Sequence, residues 1–149
     1  MADTLITRPD ITSLVTRGAA RFLMSDGDAV VTELRLANGR RADLMAMSPK
    51  GQLTIVEVKS CREDFEVDQK WEEYLPYCDR FFFAVDEQFP RELLPEGEGL
   101  IIADGFGGDE IRPSQVRPLA GARRKAVTLK FARHAAFAAM GGMPDRWAL

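Results

Sequence analysis

Residues 41–59 read RADLMAMSPKGQLTIVEVK, and this stretch decides the fold because it contains two strands and the turn between them. The segments 41–47 and 53–59 are short and largely apolar, as is typical of strands. Pro49-Lys50-Gly51 suits a three-residue loop, because proline presets the first turn angle and glycine accepts the left-handed conformation. We therefore predict an antiparallel hairpin.

The loop length sets the register of this hairpin. A three-residue loop places Ser48 opposite Gln52, and the same register then pairs Asp43 with Glu57. Because side chains alternate between the two faces of a strand, Lys59 shares a face with Glu57. A slip of one residue would move Asp43 to the other face of the sheet. The prediction that these side chains meet therefore depends on the register.

The rest of the chain continues the pattern on both sides of the hairpin. Its 149 residues, of which 46% are hydrophobic, fit one domain spanning 1–149. Periodicity and turn signals predict helices over 10–24, 63–77 and 120–140, and further strands over 29–36, 80–85 and 99–103. We expect an α/β fold with a mixed central sheet flanked by helices. A crossover through helix 63–77 makes strands 53–59 and 80–85 parallel.

Three acidic residues occupy the three strands of the meander, one in each: Glu33, Asp43 and Glu57. Acidic residues are depleted in strands. Facing carboxylates have Cβ atoms roughly 5 Å apart, and charges about 4 Å apart repel by about 4 kcal/mol at an effective dielectric of 20. A divalent cation such as Mg²⁺ or Mn²⁺ would relieve this repulsion.

Lys59 beside such a pair could orient or deprotonate a metal-bound water, or stabilise developing charge on a phosphate. The set Asp43, Glu57 and Lys59 thus contains the groups needed to hydrolyse a phosphodiester. The alternative is structural, with Asp43 at the surface and a Glu57–Lys59 ion pair at the sheet edge.

The net charge of −3 is distributed unevenly along the chain. Residues 1–59, 60–110 and 111–149 carry net charges of +1, −11 and +7. An acidic protein is not a general binder of polyanions. The basic C-terminal third could contact phosphates, or it could neutralise the acidic middle of the same domain.

Other features point to a cytoplasmic protein. No apolar run approaches the roughly 20 residues that span a bilayer, and residues 1–10 do not resemble a signal peptide. Cys61 and Cys78 lack metal-site spacing, and we expect them to be reduced. Trp71 and Tyr74 are expected in the core.

The residues around the acidic pair resemble a known family. Asp43, a spacer and Glu57-Val58-Lys59 after a helix are similar to the PD-(D/E)XK, or restriction-endonuclease-like, superfamily. That superfamily shares an α-β-β-β-α-β core, which residues 10–85 match. A closer resemblance is to the MmcB-like DNA repair proteins of bacteria. It rests on the segments Arg40-Arg41-Ala42-Asp43, Val56-Glu57-Val58-Lys59-Ser60, Asp64-Phe65, Asp68-Gln69-Lys70-Trp71 with Tyr74, and Cys78-Asp79-Arg80-Phe81-Phe82-Phe83-Ala84-Val85.

The resemblance implies roles for matching residues. Asp43, Glu57 and the backbone carbonyl of Val58 would bind Mg²⁺ or Mn²⁺, and Lys59 would be the catalytic lysine. Ala42 stands where the superfamily motif has proline. No acidic residue occurs in residues 11–24, where many members carry one, so Glu33 is the candidate for a third metal ligand.

Basic residues complete the candidate site. Lys70 fits the Gln or Lys that members place on the following helix, although an ion pair with Glu66 is an equal alternative. DNA-contact candidates are Arg40 and Arg41 at the Asn-Gly turn, Lys70, and Arg123 and Arg124 on the last helix. The lone histidine, His134, is expected at the surface.

Two functions follow from these features. The first is a metal-dependent DNA nuclease acting in repair, and the complete Asp43, Glu57 and Lys59 set favours it. The second is a non-catalytic DNA-binding or adaptor subunit of a repair complex, which the acidic stretch 60–110 favours. In either case the expected partner is DNA near the nucleoid, with other repair proteins or a second copy of the chain as further candidates.

Overall fold

The computed structural model describes residues 7–67 and 70–142, which form a six-stranded sheet with helices on both faces. The strands are β1 (Ala29–Arg35), β2 (Arg41–Met47), β3 (Leu53–Val58), β4 (Arg80–Val85), β5 (Gly99–Ala103) and β6 (Gly108–Arg112). The helices are α1 (Arg8–Ser25), α2 (Arg62–Val67) and α3 (Gly121–Ala139), with 3₁₀ helices over Trp71–Tyr77 and Arg91–Leu93.

The strands lie in the sheet in sequence order from β1 to β6. Strands β1, β2 and β3 form an antiparallel meander, β3, β4 and β5 are parallel, and β6 returns antiparallel to β5. The predicted α/β class, mixed sheet and parallel pairing of β3 with β4 are therefore confirmed. The sequence-based prediction missed β6, whose sequence GDEIR has little apolar alternation and lies mostly at the surface.

Helix α1 covers one face of the sheet with one side of the helix. Val15, Ala19 and Leu23 are buried at a spacing of four residues. Leu14 lies beside this buried side and is 37% exposed. Gly18 permits close contact with the loop after β5, since a Cβ there would lie 1.8 Å from the carbonyl oxygen of Asp104.

The prediction of one continuous helix over residues 63–77 is wrong. The structure has the short helix α2 and then the 3₁₀ helix 71–77, while Asp68 and Gln69 lie outside the described residues. Pro76 lies inside the 3₁₀ helix and lacks the N–H needed to continue an α-helical hydrogen-bond ladder. Lys70, predicted within a helix, instead immediately precedes the 3₁₀ helix.

The second face of the sheet is covered by the 3₁₀ helix 71–77 and α3. Trp71 stacks on Phe81, and Tyr74 is buried, as predicted for core residues. Helix α3 buries Val127 and Phe131. The Nε2 atom of His134, expected to be a surface residue, lies 2.7 Å from the Thr32 carbonyl oxygen and so connects α3 to β1.

Ion pairs join the basic C-terminal third to the acidic middle of the chain. Arg117 pairs with Glu98 at 2.8 Å, and Arg124 pairs with Asp79 at 2.6 Å. For these two arginines, the alternative that the basic third neutralises the acidic middle is therefore confirmed.

Cys61 and Cys78 are free thiols, and burial raises the pKa of Cys78 to about 12. Across the described ranges, no helix has the length and apolarity to cross a bilayer.

Candidate active site

The β2–β3 hairpin has the predicted register. Met45 faces Ile55 and Leu44 faces Val56, so the next facing positions are Asp43 and Glu57. The loop also closes as expected, because Ser48 N–H donates to the Gln52 carbonyl at 3.0 Å. Gly51 has the expected positive φ of 85°.

At Asp43 and Glu57 the backbone ladder gives way to side-chain hydrogen bonds. The backbone N–H of Asp43 donates to Oε1 of Glu57 at 3.0 Å. The backbone N–H of Val58 donates to Oδ2 of Asp43 at 2.8 Å. The two carboxyl groups are also close enough for each to shift the pKa of the other. Each acid is therefore held in place by the strand opposite it.

The backbone explains why side-chain hydrogen bonds replace the backbone ladder at Asp43. In an antiparallel ladder, N–H groups alternate between the two neighbouring strands. Because Ser48 N–H faces β3, the N–H of Asp43 should face β1, yet it donates to Glu57 on β3. Opposite Asp43 on β1 lies Glu33, with a left-handed φ of 53°. In a regular strand Ala42 and Leu44 would pack on the same face of the sheet, because side chains alternate between the faces. Here they pack on opposite faces, so β2 is rotated about its axis between these two residues.

Burial controls the protonation of the acidic pair. Glu57 is only 3% exposed, and burial, reinforced by the negative charge of Asp43, raises the pKa of Glu57 to about 9. Burial also raises the pKa of Asp43, while the Val58 N–H and the positive charge of Lys59 oppose the shift. Both carboxyl groups therefore favour the protonated form more than an isolated acid does.

Lys59 lies beside the pair, as predicted. Its side chain is 3% exposed, and its charge acts on both Asp43 and Glu57. Its backbone N–H donates to the Ala84 carbonyl at 3.0 Å, which continues the parallel pairing of β3 with β4. The parallel strands thus hold Lys59 next to one buried and one half-buried carboxyl group.

Asp64 is a site residue that the sequence-based prediction did not identify. Its Oδ2 accepts the backbone N–H of Ser60 at 3.0 Å, directly after Lys59. Its negative charge raises the pKa of Asp43. The signal available in the sequence was its position in the first turn of α2, four residues after Ser60.

Glu33 and Lys70 are exposed, and neither is among the groups that shift the pKa values of Asp43 and Glu57. Glu33 is exposed, and within residues 7–67 and 70–142 no cluster of three or more His, Cys, Asp or Glu residues could hold a metal ion. The candidate third ligand is thus without geometric support. Lys70 is exposed at the start of the 3₁₀ helix.

The predicted DNA-contacting residues Arg40 and Arg41 take part in contacts within the fold. The Nε of Arg40 donates to Oε2 of Glu73, and the Arg41 carbonyl accepts the Tyr74 hydroxyl at 3.2 Å. These contacts tie the start of β2 to the 3₁₀ helix 71–77. They leave the Arg41 side chain exposed.

Arg123 and Arg124 lie at the other end of the sheet. Arg124 binds both carboxylate oxygens of Asp79 and the Gly51 carbonyl, while Arg123 lies over the Tyr77 ring. Gly51 and Glu57 are six residues apart along β3, or roughly 20 Å at strand spacing. Arg124 and Arg123 therefore contact groups of the fold away from the acidic pair, and their contact with DNA stays a prediction.

The comparisons with known proteins agree with this fold. The family described as "DNA repair protein MmcB-like" matches residues 3–143. A solved structure, the SPO1766 protein of unknown function from Silicibacter pomeroyi, is 46% identical, with a TM-score of 0.82. The similarity covers 85% of this chain and 86% of that one. Among curated proteins no match is found. The chain belongs to the MmcB-like family of DNA repair proteins.

Proposed function

We propose that this protein is a metal-dependent DNA nuclease of the PD-(D/E)XK type that hydrolyses phosphodiester bonds during DNA repair. The observation that carries the proposal is the pairing of the buried Glu57 and the half-buried Asp43 beside Lys59. Two neighbouring carboxyl groups largely removed from water are costly to ionise, and such perturbed groups cluster at functional sites. The repair role follows from the family.

The chemistry of the pair fits a divalent cation. Two carboxylates and the Val58 carbonyl would be hard oxygen ligands, and Mg²⁺ commonly takes few protein ligands and keeps several waters. Burial raises the pKa of both acids, so a cation between the carboxyl groups would stabilise their charged forms. Bound Mg²⁺ or Mn²⁺ would polarise the phosphodiester and lower the pKa of water.

The protein groups would then have separate roles. Asp43 and Glu57 would bind the cation, held in position by the N–H groups of Val58 and Asp43. The Lys59 ammonium would orient the attacking water or stabilise charge on the phosphoryl oxygens. Asp64 would hold the start of α2 against Ser60 and so position the segment that follows Lys59.

A cleavage assay tests the proposal. Purified protein is incubated with single-stranded, duplex and branched DNA, with Mg²⁺ or Mn²⁺ and with a chelator. We expect metal-dependent cleavage of at least one substrate, and Lys59→Ala should lower the rate by about two orders of magnitude, as when one preorganised charge is lost. DNA binding should weaken only slightly. Lys59→Arg should not restore the full rate, because guanidinium is bulkier and cannot act as a base.

Within the alternative of a non-catalytic DNA-binding or adaptor subunit, a specific observation favours the adaptor. The side chains of Arg40, Arg123 and Arg124 contact other residues of the fold. Few of the side chains predicted to contact phosphate are therefore available to DNA. An adaptor predicts no metal-dependent cleavage by the wild type. It also predicts that cells carrying Lys59→Ala tolerate DNA damage as well as wild-type cells do.

A further inference from the structure

A pocket of about 340 Å³ lies between α1 and the carboxyl ends of β4 and β5. Its apolar part includes Leu14 and Val15 of α1 and Ile102 of β5. Leu14 is partly exposed. The pocket is therefore an apolar depression at the end of the sheet that also carries Lys59, on the side of α1.

The rest of the pocket lining is acidic. Four carboxylates line it: Asp86, Glu87, Asp104 and Asp109. None of them forms an ion pair with another residue of the described ranges 7–67 and 70–142. The N–H groups of Phe106 and Gly107 lower the pKa of Asp104 and so keep it charged. This surface repels phosphate groups and attracts cations.

A fixed turn presents an aromatic ring next to the pocket. Phe106 is 86% exposed, between Gly105 and Gly107. Oδ1 of Asp104 accepts the Phe106 and Gly107 N–H groups at 2.8 and 3.0 Å, which fixes the turn. The absence of a Cβ at Gly18 lets this turn pack directly on α1. The exposure of Phe106 is thus built into an ordered turn.

Charge and apolarity together define what this surface would bind. Apolar surface rimmed by polar groups marks interaction sites, and exposed aromatic anchors dominate binding energy. Duplex or single-stranded DNA is disfavoured by the four carboxylates. We propose that the pocket and Phe106 dock a segment of a partner protein that carries lysine or arginine next to apolar residues.

This docking would also change the electrostatics near the acidic pair. The pocket residue Asp86 directly follows β4, whose Ala84 pairs with the Lys59 backbone. A basic partner bound there adds positive charge at the end of the sheet that carries Asp43 and Glu57. Positive charge at that end would favour the approach of DNA, which the acidic middle of the chain opposes.

Binding of synthetic peptides tests this proposal without DNA, metal or cleavage. Fluorescently labelled peptides of alternating lysine and leucine, lysine and glycine, and glutamate and leucine are titrated with the full chain, and anisotropy is recorded. We expect the lysine–leucine peptide to bind tightest, and more weakly at high salt. Phe106→Ser, and the double variant Asp86→Asn with Glu87→Gln, should each weaken it about fivefold or more.

Two matched control variants distinguish binding at this surface from nonspecific peptide binding. Leu129→Ser removes another exposed apolar side chain, 54% exposed on α3, and Glu96→Gln removes an exposed carboxylate outside the pocket. Both should leave the affinity unchanged. Equal loss in these controls, or equal binding of the lysine–glycine peptide, would overturn the proposal. So would self-association of the chain that Phe106→Ser abolishes, because the occupant would then be a second copy.

Discussion

Glu57 shows how burial and a neighbouring acid can change the chemistry of one residue. Its carboxyl group lies in the sheet beside Asp43, and its pKa is raised to about 9. In the unfolded chain the group titrates near its usual value of 4.5. Between these two values the folded state holds a proton that the unfolded state has lost. Stability without metal therefore falls as the pH rises through this range.

Glu57→Gln tests this protonation directly. The amide keeps the volume and cannot ionise, so we expect the variant to be more stable than the wild type at pH 8 without metal, by about 1–3 kcal/mol. Near pH 4 the advantage should vanish. Urea unfolding at the two pH values measures the difference. A wild type whose stability rises between pH 5 and 8 relative to the variant would contradict the raised pKa.

At Glu33 we expect the backbone conformation to affect stability more than the side chain does. Its left-handed φ costs roughly 1–2 kcal/mol for a residue with a Cβ, and glycine avoids this cost. We expect Glu33→Gly to keep or raise the melting temperature and to keep any Mn²⁺-induced stabilisation. Glu33→Val should lose stability, because a branched side chain does not accept this conformation. Loss of the Mn²⁺ effect in Glu33→Gly would instead identify Glu33 as a metal ligand.

At the scale of elements, the hairpin was predictable because its loop chemistry is local. Pro49-Lys50-Gly51 sets the register, and the register brings Asp43 to Glu57. The 3₁₀ helix that begins at Trp71 was harder to predict from the sequence, because the packing of Trp71 and Tyr74 on Phe81 competes with helical periodicity. Strand β6 forms because it pairs with β5, and its own sequence carries no apolar pattern.

Asp79 joins several elements through one buried side chain. It accepts the N–H groups of Leu53 and Leu119 and a bidentate contact from Arg124. Burial alone would raise the pKa of Asp79, but these hydrogen bonds outweigh burial and lower it. The stabilisation it provides is therefore complete above its usual value of 3.8 and is lost as the pH falls through the lowered pKa.

Asp79→Asn should therefore destabilise the fold at pH 7. The amide keeps the volume but loses the charge that faces Arg124, and we expect a loss of about 2–4 kcal/mol of unfolding free energy. Chemical denaturation measures the loss, with the exposed Glu96→Gln as control. A variant as stable as the control would mean that Asp79 does not hold β3 and α3 together.

At the scale of the whole molecule, acidic side chains gather at one end of the sheet. Asp43, Glu57, Asp64 and the acidic pocket lie at that end beside Lys59, while Arg124 lies at the end with Gly51. Sequence order alone could not show this, because the acidic stretch 60–110 contributes to both ends, with Asp64 at one and Asp79 at the other. The ion pair of Arg124 with Asp79 forms through tertiary packing, which has no local signal. The acidic pair itself was predictable from strand register.

The measurement that tests the metal site most directly is calorimetric titration of Mn²⁺ into the wild type and into Asp43→Asn at pH 8. Metal ligands must be deprotonated, so binding should displace the proton from Glu57. We expect wild-type binding with release of about one proton, seen as a heat that depends on buffer ionisation. Asp43→Asn should keep the fold and lose the binding. Mn²⁺ binding that is unchanged in Asp43→Asn, or that releases no proton, would contradict the assignment of this pair as a metal site.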